Sequence, residues 1–119
     1  MYINTFKLLL FVFGIILFSS FSFAQENKVT EAEVKVSGIC EMCKSRIEKA
    51  VRIKEVKFAK WNKSTKTLKL AFLTPAITLD SIMQRVAAAG HDNEKHKAPD
   101  EAYAKLHSCC LYREGQKTH

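Results

Sequence analysis

Two cysteines separated by two residues, Cys40 and Cys43, are the chemically most informative feature of this chain. An alternating apolar stretch precedes them and a helix-patterned stretch follows, so both thiols are predicted where a strand ends and a helix begins. The free backbone N–H groups and the dipole of a helix N-terminus stabilise thiolate over thiol, which lowers the thiol pKa. Thiolates select soft ions such as Cu(I) or Zn(II) over Mg(II) and Ca(II). Residues 37–44 therefore predict a site for one soft metal ion.

A single Cys-x-x-Cys also occurs in zinc sites, redox proteins and structural disulfides. A structural zinc site has four ligands, and the sequence contains no second Cys-x-x-Cys or paired histidines at the usual distance. A thioredoxin-type pair lies in a longer α/β domain and has other residues between its thiols than Glu41 and Met42. A structural disulfide stays open, because the chain has four cysteines, which allow three pairings.

Residues 1–24 have the features of a secretory signal peptide. Lys7 precedes an apolar run over residues 8–18, and the small residues Ser22 and Ala24 flank Phe23 at the predicted cleavage site. We favour cleavage before Gln25 over a retained membrane anchor, with no stable membrane insertion afterwards. The mature protein is then expected in the periplasm or outside the cell, where disulfides are chemically permitted.

The composition argues against two broad functions. The formal net charge is +7, but the lysines are scattered and no basic stretch is interleaved with aromatic residues. We therefore predict no nucleic-acid partner. The sequence also shows no Ser/His/Asp set, no paired carboxylates and no phosphate-binding glycine loop, which predicts a protein that is not an enzyme.

The hydrophobic patterns predict one α+β domain in which strands and helices follow the order βαββαβ. This is the ferredoxin-like sandwich, an antiparallel four-stranded sheet with two helices on one face, here followed by a short C-terminal helical tail. Thr78 is predicted to cap the second helix and Gly90 to end it. The strands are predicted at 30–36, 55–61, 66–73 and 91–98, with helices at 44–52 and 79–89 and inward residues Ala32, Val34, Val36, Leu68, Leu70 and Phe72.

Residues 36–51, in which Cys-x-x-Cys opens the first helix, resemble the heavy-metal-associated domain family. This family includes copper chaperones and the periplasmic mercury-binding protein, and the resemblance covers residues 30–98. It implies that Cys40 and Cys43 bind one soft ion and pass it to a partner by thiolate exchange. Cu(I) is favoured, with Hg(II) and Zn(II) as alternatives. The implied partner is a heavy-metal transporter or another metal-accepting protein, and a metal-bridged homodimer stays open.

The chain departs from the family pattern at two places near the predicted site. The family usually has Gly-Met-Thr before its first cysteine, whereas this chain has Ser37-Gly38-Ile39. The loop after the second helix often has a tyrosine, phenylalanine or lysine in the family, and here it contains His91. We predict that His91 is a third ligand or hydrogen-bonds to a thiolate, and the alternative is a solvated loop histidine.

The organisation is thus a signal peptide at 1–24, a heavy-metal-associated domain at 25–98 and a tail at 99–119. The tail is predicted to begin with a short helix and to present the adjacent cysteines Cys109 and Cys110. Adjacent cysteines rarely pair with each other, so we predict that both contact the metal, with disulfides that fix the tail as the alternative.

The sequence therefore predicts a secreted or periplasmic protein that binds a soft metal and buffers or delivers it. Two other functions stay open. One is a thiol–disulfide redox protein in which Cys109 and Cys110 act as resolving thiols. The other is an interaction domain held together by disulfides, in which Trp61 contacts a partner.

Overall fold

The computed structural model describes residues 2–16 and 26–114. The first helix, α1 (Tyr2–Ile16), falls within the predicted signal peptide, and the predicted cleavage site before Gln25 lies outside the described residues. Within the described ranges, no helix combines the length and the apolar character needed to cross a membrane.

Three strands and three further helices follow α1. Up to the second predicted helix, their order is the one that the sequence predicted. Two short 3₁₀ turns, Ser108–Cys110 and Tyr112–Glu114, come after the last helix. The remaining elements are β1 (Lys28–Lys35), α2 (Glu41–Ala50), β2 (Val56–Asn62), β3 (Thr67–Thr74), α3 (Leu79–Ala88) and α4 (Asp100–Ala104).

The three strands form an antiparallel sheet in the order β1-β3-β2. At the centre of the buried face Leu68 lies opposite Val34 on one side and Trp61 on the other. Five of the six predicted inward residues are confirmed as buried, namely Val34, Val36, Leu68, Leu70 and Phe72, and the sixth, Ala32, is partly buried against the core. Helices α2 and α3 contribute buried residues to the same core cluster, among them Ile47, Ile82, Met83 and Val86.

Strand β2 differs from its predicted pattern. An alternating pattern over residues 55–61 predicts Val56 and Phe58 on the same side of the sheet, but the register shifts between these two residues. Val56 packs against the core, whereas Phe58 is 52% exposed and Trp61 is buried. A bulge adds one residue to a strand and reverses the faces beyond it, which alternation alone does not reveal.

The predicted fourth strand over residues 91–98 is wrong. In residues 26–114 the sheet has three strands, and this stretch contributes one isolated bridge between Asn93 and Val36. The Asn93 side-chain oxygen accepts hydrogen bonds from the backbone N–H groups of Lys95 and His96, at 3.1 and 3.0 Å. These bonds curl the backbone into a turn and occupy N–H groups that a strand would use for pairing.

The ends of α3 agree with the sequence. The Thr78 hydroxyl accepts a hydrogen bond from the Ser81 N–H at 3.1 Å and caps the helix, as predicted. Gly90 follows the helix with a φ of +106°, a conformation that favours glycine. The loop that carries His91 is therefore directed away from the helix axis immediately after Gly90.

Candidate metal centre

Cys40 and Cys43 lie at the start of α2, as the sequence predicted. Cys40 is the N-cap residue, with extended backbone angles, and Cys43 lies in the first turn of the helix. Their sulfur atoms are 3.6 Å apart. Cys43 is completely buried and Cys40 is 8% exposed. A single helical turn therefore directs both sulfurs toward the same point.

The 3₁₀ turn Ser108–Cys110 brings a third buried sulfur to these two. The Cys110 sulfur lies 3.6 Å from that of Cys40, and the sulfurs of Cys40, Cys43 and Cys110 all lie within 4.8 Å of one another. Three sulfurs bound to one ion at about 2.3 Å in a trigonal plane would be separated by about 4 Å. The spacing therefore suits a single ion in contact with three thiolates.

Contacts between the C-terminal segment and the loop after α3 position Cys110. The Tyr112 hydroxyl donates to the Gly90 carbonyl at 2.7 Å and accepts from the Asp92 N–H at 2.8 Å. Arg113 forms two hydrogen bonds with the Asp92 carboxylate. Because Tyr112 and Arg113 follow Cys110 closely in sequence, these contacts hold its sulfur over α2.

The electrostatic surroundings differ between the sulfurs. Burial raises the pKa of the Cys40 thiol, but hydrogen bonding with the Cys43 N–H and with the neighbouring thiols outweighs this effect and lowers that pKa to about 7. Burial and the adjacent sulfurs raise the pKa of Cys110. Arg46 opposes that rise, since its Nη1 donates to the Cys110 sulfur at 3.2 Å. The Cys40 thiol therefore loses its proton more readily than the Cys110 thiol before metal binds, and Arg46 is placed to offset negative charge at Cys110.

Cys109 is close to the cluster but outside its buried part. Its sulfur lies 3.3 Å from that of Cys40 and 3.8 Å from that of Cys110. On its other side it lies 3.5 Å from the sulfur of Met42, which is 46% exposed. Cys109 itself is partly exposed, so it lies at the edge of the buried set of Cys40, Cys43 and Cys110, although its sulfur is about as close to those of Cys40 and Cys110 as these two are to each other.

His91 is buried rather than solvated, and it is not brought into the sulfur cluster. Its Nδ1 lies 2.7 Å from the Ser37 carbonyl oxygen. Since a carbonyl only accepts, Nδ1 carries the proton and Nε2 presents a lone pair. Nε2 is buried and has no hydrogen-bond partner. The group of mutually close ligand atoms contains the sulfurs of Cys40, Cys43 and Cys110 and does not include His91. Its role as a ligand stays a prediction, whereas its contact with Ser37 supports the cysteine loop.

Trp61 packs against the loop that leads into Cys40. Its indole N–H donates to the Val36 carbonyl at 3.0 Å, and its side chain is completely buried. A Cβ at Gly38 would lie 2.9 Å from two ring atoms of Trp61 and 3.1 Å from Cys43 Cβ. Gly38 is therefore required for close packing of the loop on the indole, and Trp61 is a core residue rather than an exposed contact residue.

Sequence reasoning missed the contributions of Arg46, Tyr112 and Arg113 to this site. No local signal identifies them, because each acts through a partner distant in the chain. The position of Gly38 directly before the cysteine loop was a usable signal for close packing.

Comparison with known proteins identifies the fold. No protein-family model matches the chain, and no curated protein matches it. Three chains of solved structures do, among them the following two. The solution structure of a protein assigned as copper-ion-binding from Bacillus anthracis strain Ames has 22% identity, a TM-score of 0.54, and coverage of 58% of this chain and 100% of its own. CopZ metallochaperone has 21% identity, a TM-score of 0.51, and coverage of 54% and 98%. At these identities the likeness establishes the fold.

The chain thus has the fold of the heavy-metal-associated domain, as its sequence resemblance implied. In the part of the chain that the structure describes, this fold presents a cluster of three buried cysteines in place of a two-cysteine site.

Proposed function

We propose that this protein binds one Cu(I) ion through the thiolates of Cys40, Cys43 and Cys110 and delivers it to an acceptor by thiolate exchange. The observation that carries this proposal is the meeting of these three sulfurs within 4.8 Å of one another, in a buried position. Cys110 is 70 positions from Cys40 in the sequence, so only the folded C-terminal segment brings them together.

The donor set supports Cu(I) over the alternatives. Thiolates favour soft ions, and three of them suit an ion of low coordination number. A structural Zn(II) site commonly has four protein ligands, whereas the described residues offer three buried sulfurs that are mutually close, with the fourth, that of Cys109, partly exposed. Hg(II) shares the preference for sulfur and is the second candidate ion.

The proposal also covers metal delivery, the acceptor and the location of the protein. One of the similar solved structures is named a metallochaperone, which supports metal delivery rather than storage alone. We propose a heavy-metal transporter or another metal-accepting protein as the acceptor. The apolar run and small residues near the N-terminus support secretion or a periplasmic location.

Native mass spectrometry with Cu(I) tests the proposal. The protein is purified without oxygen, with its thiols reduced, and titrated with Cu(I), Zn(II) and Hg(II) in separate experiments. We expect one Cu(I) per chain, retained against the chelator bathocuproine disulfonate. Cys40→Ser should abolish tight binding, and Cys110→Ser should weaken it by about tenfold or more. Ser108→Ala, an exposed neighbour of the cysteine pair, is the matched control and should bind as the parent does.

Equal Cu(I) affinity in the parent and in Cys40→Ser would overturn the site. Unchanged affinity in Cys110→Ser would overturn the role of the C-terminal segment as a ligand. Disulfide formation without any metal uptake would instead support the interaction domain held by disulfides.

A further inference from the structure

The sulfur atoms of this protein form a graded path from the surface to the buried cluster. Met42 is 46% exposed and Cys109 is partly exposed, whereas Cys40 is nearly buried and Cys43 and Cys110 are fully buried. Successive sulfurs are close: 3.5 Å from Met42 to Cys109, 3.3 Å from Cys109 to Cys40, and 3.6 Å from Cys40 to Cys43. Each step is short enough for one ion to contact both neighbours.

The burial of the cluster limits how an acceptor can reach a bound ion. An acceptor thiolate must reach the ion before the old bonds break, but Cys43 and Cys110 are inaccessible and Cys40 is almost so. Met42 lies in the first turn of α2 and projects away from the core, beside the sulfur of Cys109. Together these two side chains present soft donors at the point where the cluster meets solvent.

We propose that Cys109 and Met42 form a transfer port through which Cu(I) enters and leaves the buried cluster. This inference rests on the proposed function and assigns these two residues to the exchange step rather than to the resting site. Thiolate and thioether are both soft donors, so the port favours Cu(I) over harder ions.

The exchange step involves ligands and protons only, and the copper stays Cu(I). A bond forms between the ion and the Cys109 sulfur as a bond to Cys110 or Cys43 breaks, so the ion moves toward Cys40 and Cys109. The Cys109 thiol loses its proton, and the released thiolate takes one up. Acceptor thiols then lose their protons and bond to the ion. In turn, the three remaining bonds break, to Cys40, to Cys109 and to whichever of Cys43 and Cys110 still holds the ion, and the released thiolates take up the protons. The Met42 thioether contacts the ion without any proton transfer.

Rates of transfer, measured separately from affinity, test the port. The Cu(I)-loaded protein is mixed with excess bathocuproine disulfonate in a stopped-flow instrument, and the coloured copper complex is followed at several chelator concentrations. Affinity is measured by equilibrium competition with the same chelator. Cys109→Ser should slow transfer by about tenfold while affinity stays within about threefold of the parent. Met42→Leu keeps the volume and removes the sulfur, and should cause a smaller slowing.

Ser108→Ala is the matched control, because it changes an exposed neighbour of Cys109 that carries no sulfur, and it should transfer Cu(I) as fast as the parent. Cys110→Ser should instead weaken affinity, since it removes a resting ligand. A Cys109→Ser protein that binds one Cu(I) and transfers it as fast as the parent would overturn the port while leaving the proposed function intact. A Cys109→Ser protein with affinity as weak as that of Cys110→Ser would also overturn it, since Cys109 would then be a resting ligand. Failure of the parent itself to bind Cu(I) would contradict the proposed function instead. Circular dichroism confirms that each variant is folded.

Discussion

Arg113 donates two parallel hydrogen bonds to the Asp92 carboxylate. Its Nη2 lies 2.7 Å from Asp92 Oδ1, and its Nε lies 3.0 Å from Asp92 Oδ2. The same guanidinium donates to the Ala98 carbonyl at 2.8 Å and to Asp100 at 3.1 Å. This ion pair fastens the last described turn to the loop after α3. Since Cys110 is three residues before Arg113, the third thiolate depends on an interaction outside the sulfur cluster.

Arg113→Met should therefore weaken both the fold of the C-terminal segment and metal binding. Loss of the paired hydrogen bonds should lower the free energy of unfolding by about 1 to 2 kcal/mol. Cu(I) affinity should fall toward that of Cys110→Ser, because the segment no longer holds its sulfur in place. Urea denaturation and chelator competition measure the two effects. Arg113→Lys keeps the charge but cannot form the paired bonds, so its stability and Cu(I) affinity should lie between those of the parent and those of Arg113→Met. Parent-like affinity in Arg113→Met would refute this role.

His91 should make the stability of the metal-free protein sensitive to mild acid. Burial lowers the pKa of His91 from 6.5 to about 4, although the Ser37 carbonyl partly opposes this. Nearby Arg46 lowers this pKa further and Asp92 raises it. The unfolded chain takes up a proton as the pH falls from 6.5 to 4, and the folded chain does not. The metal-free protein is thus most stable above pH 6.5, and its free energy of unfolding falls by on the order of 3 kcal/mol by pH 4.

The variant His91→Asn isolates this effect, because its side-chain amide can still donate to the Ser37 carbonyl but does not titrate. Urea denaturation between pH 7 and 4.5 should give a steeper loss of stability in the parent than in the variant. Parallel pH profiles for the two proteins would show that His91 is not responsible.

Gly38 and Trp61 should be energetically coupled. Gly38→Ala places a methyl group 2.9 Å from two atoms of the indole ring, and overpacking of this kind costs about 1 to 3 kcal/mol. Trp61→Phe removes those two atoms but leaves the buried Val36 carbonyl without its indole donor, which also costs about 1 to 3 kcal/mol. The double variant should be more stable than the sum of the single losses predicts. Thermal and urea denaturation of all four proteins measure this coupling, and additive losses would argue against it.

Arg46 should contribute to metal affinity through its charge. Three thiolates around one Cu(I) ion leave an excess of negative charge, and the Arg46 guanidinium lies 3.2 Å from the Cys110 sulfur. Arg46→Met keeps much of the side-chain length without the charge, and should weaken Cu(I) binding by about tenfold. Arg52→Met changes an exposed arginine near the end of the same helix and serves as the control. Equal weakening in both variants would indicate a general charge effect rather than the contact with Cys110.

Local patterns in the sequence were sufficient for much of the domain. The spacing of Cys40 and Cys43 placed both at the start of a helix, and the alternation around Leu68 and Leu70 identified the buried face of β3. Both signals depend on neighbours within a few residues. Alternation failed at Phe58, because a bulge changes the register without changing residue types, and it failed at residues 91–98, because side chains there bond to the local backbone.

The sequence by itself thus determined a strand, a helix and two thiols suited to a soft ion. Only the tertiary structure decided which of the remaining cysteines joins them in the buried cluster. Cys109 and Cys110 are adjacent and chemically identical, and their different positions follow from the contacts of Tyr112 and Arg113 with the loop after α3. Those contacts join segments far apart in the chain, so the division between a buried sulfur and an accessible one arises only when the chain folds.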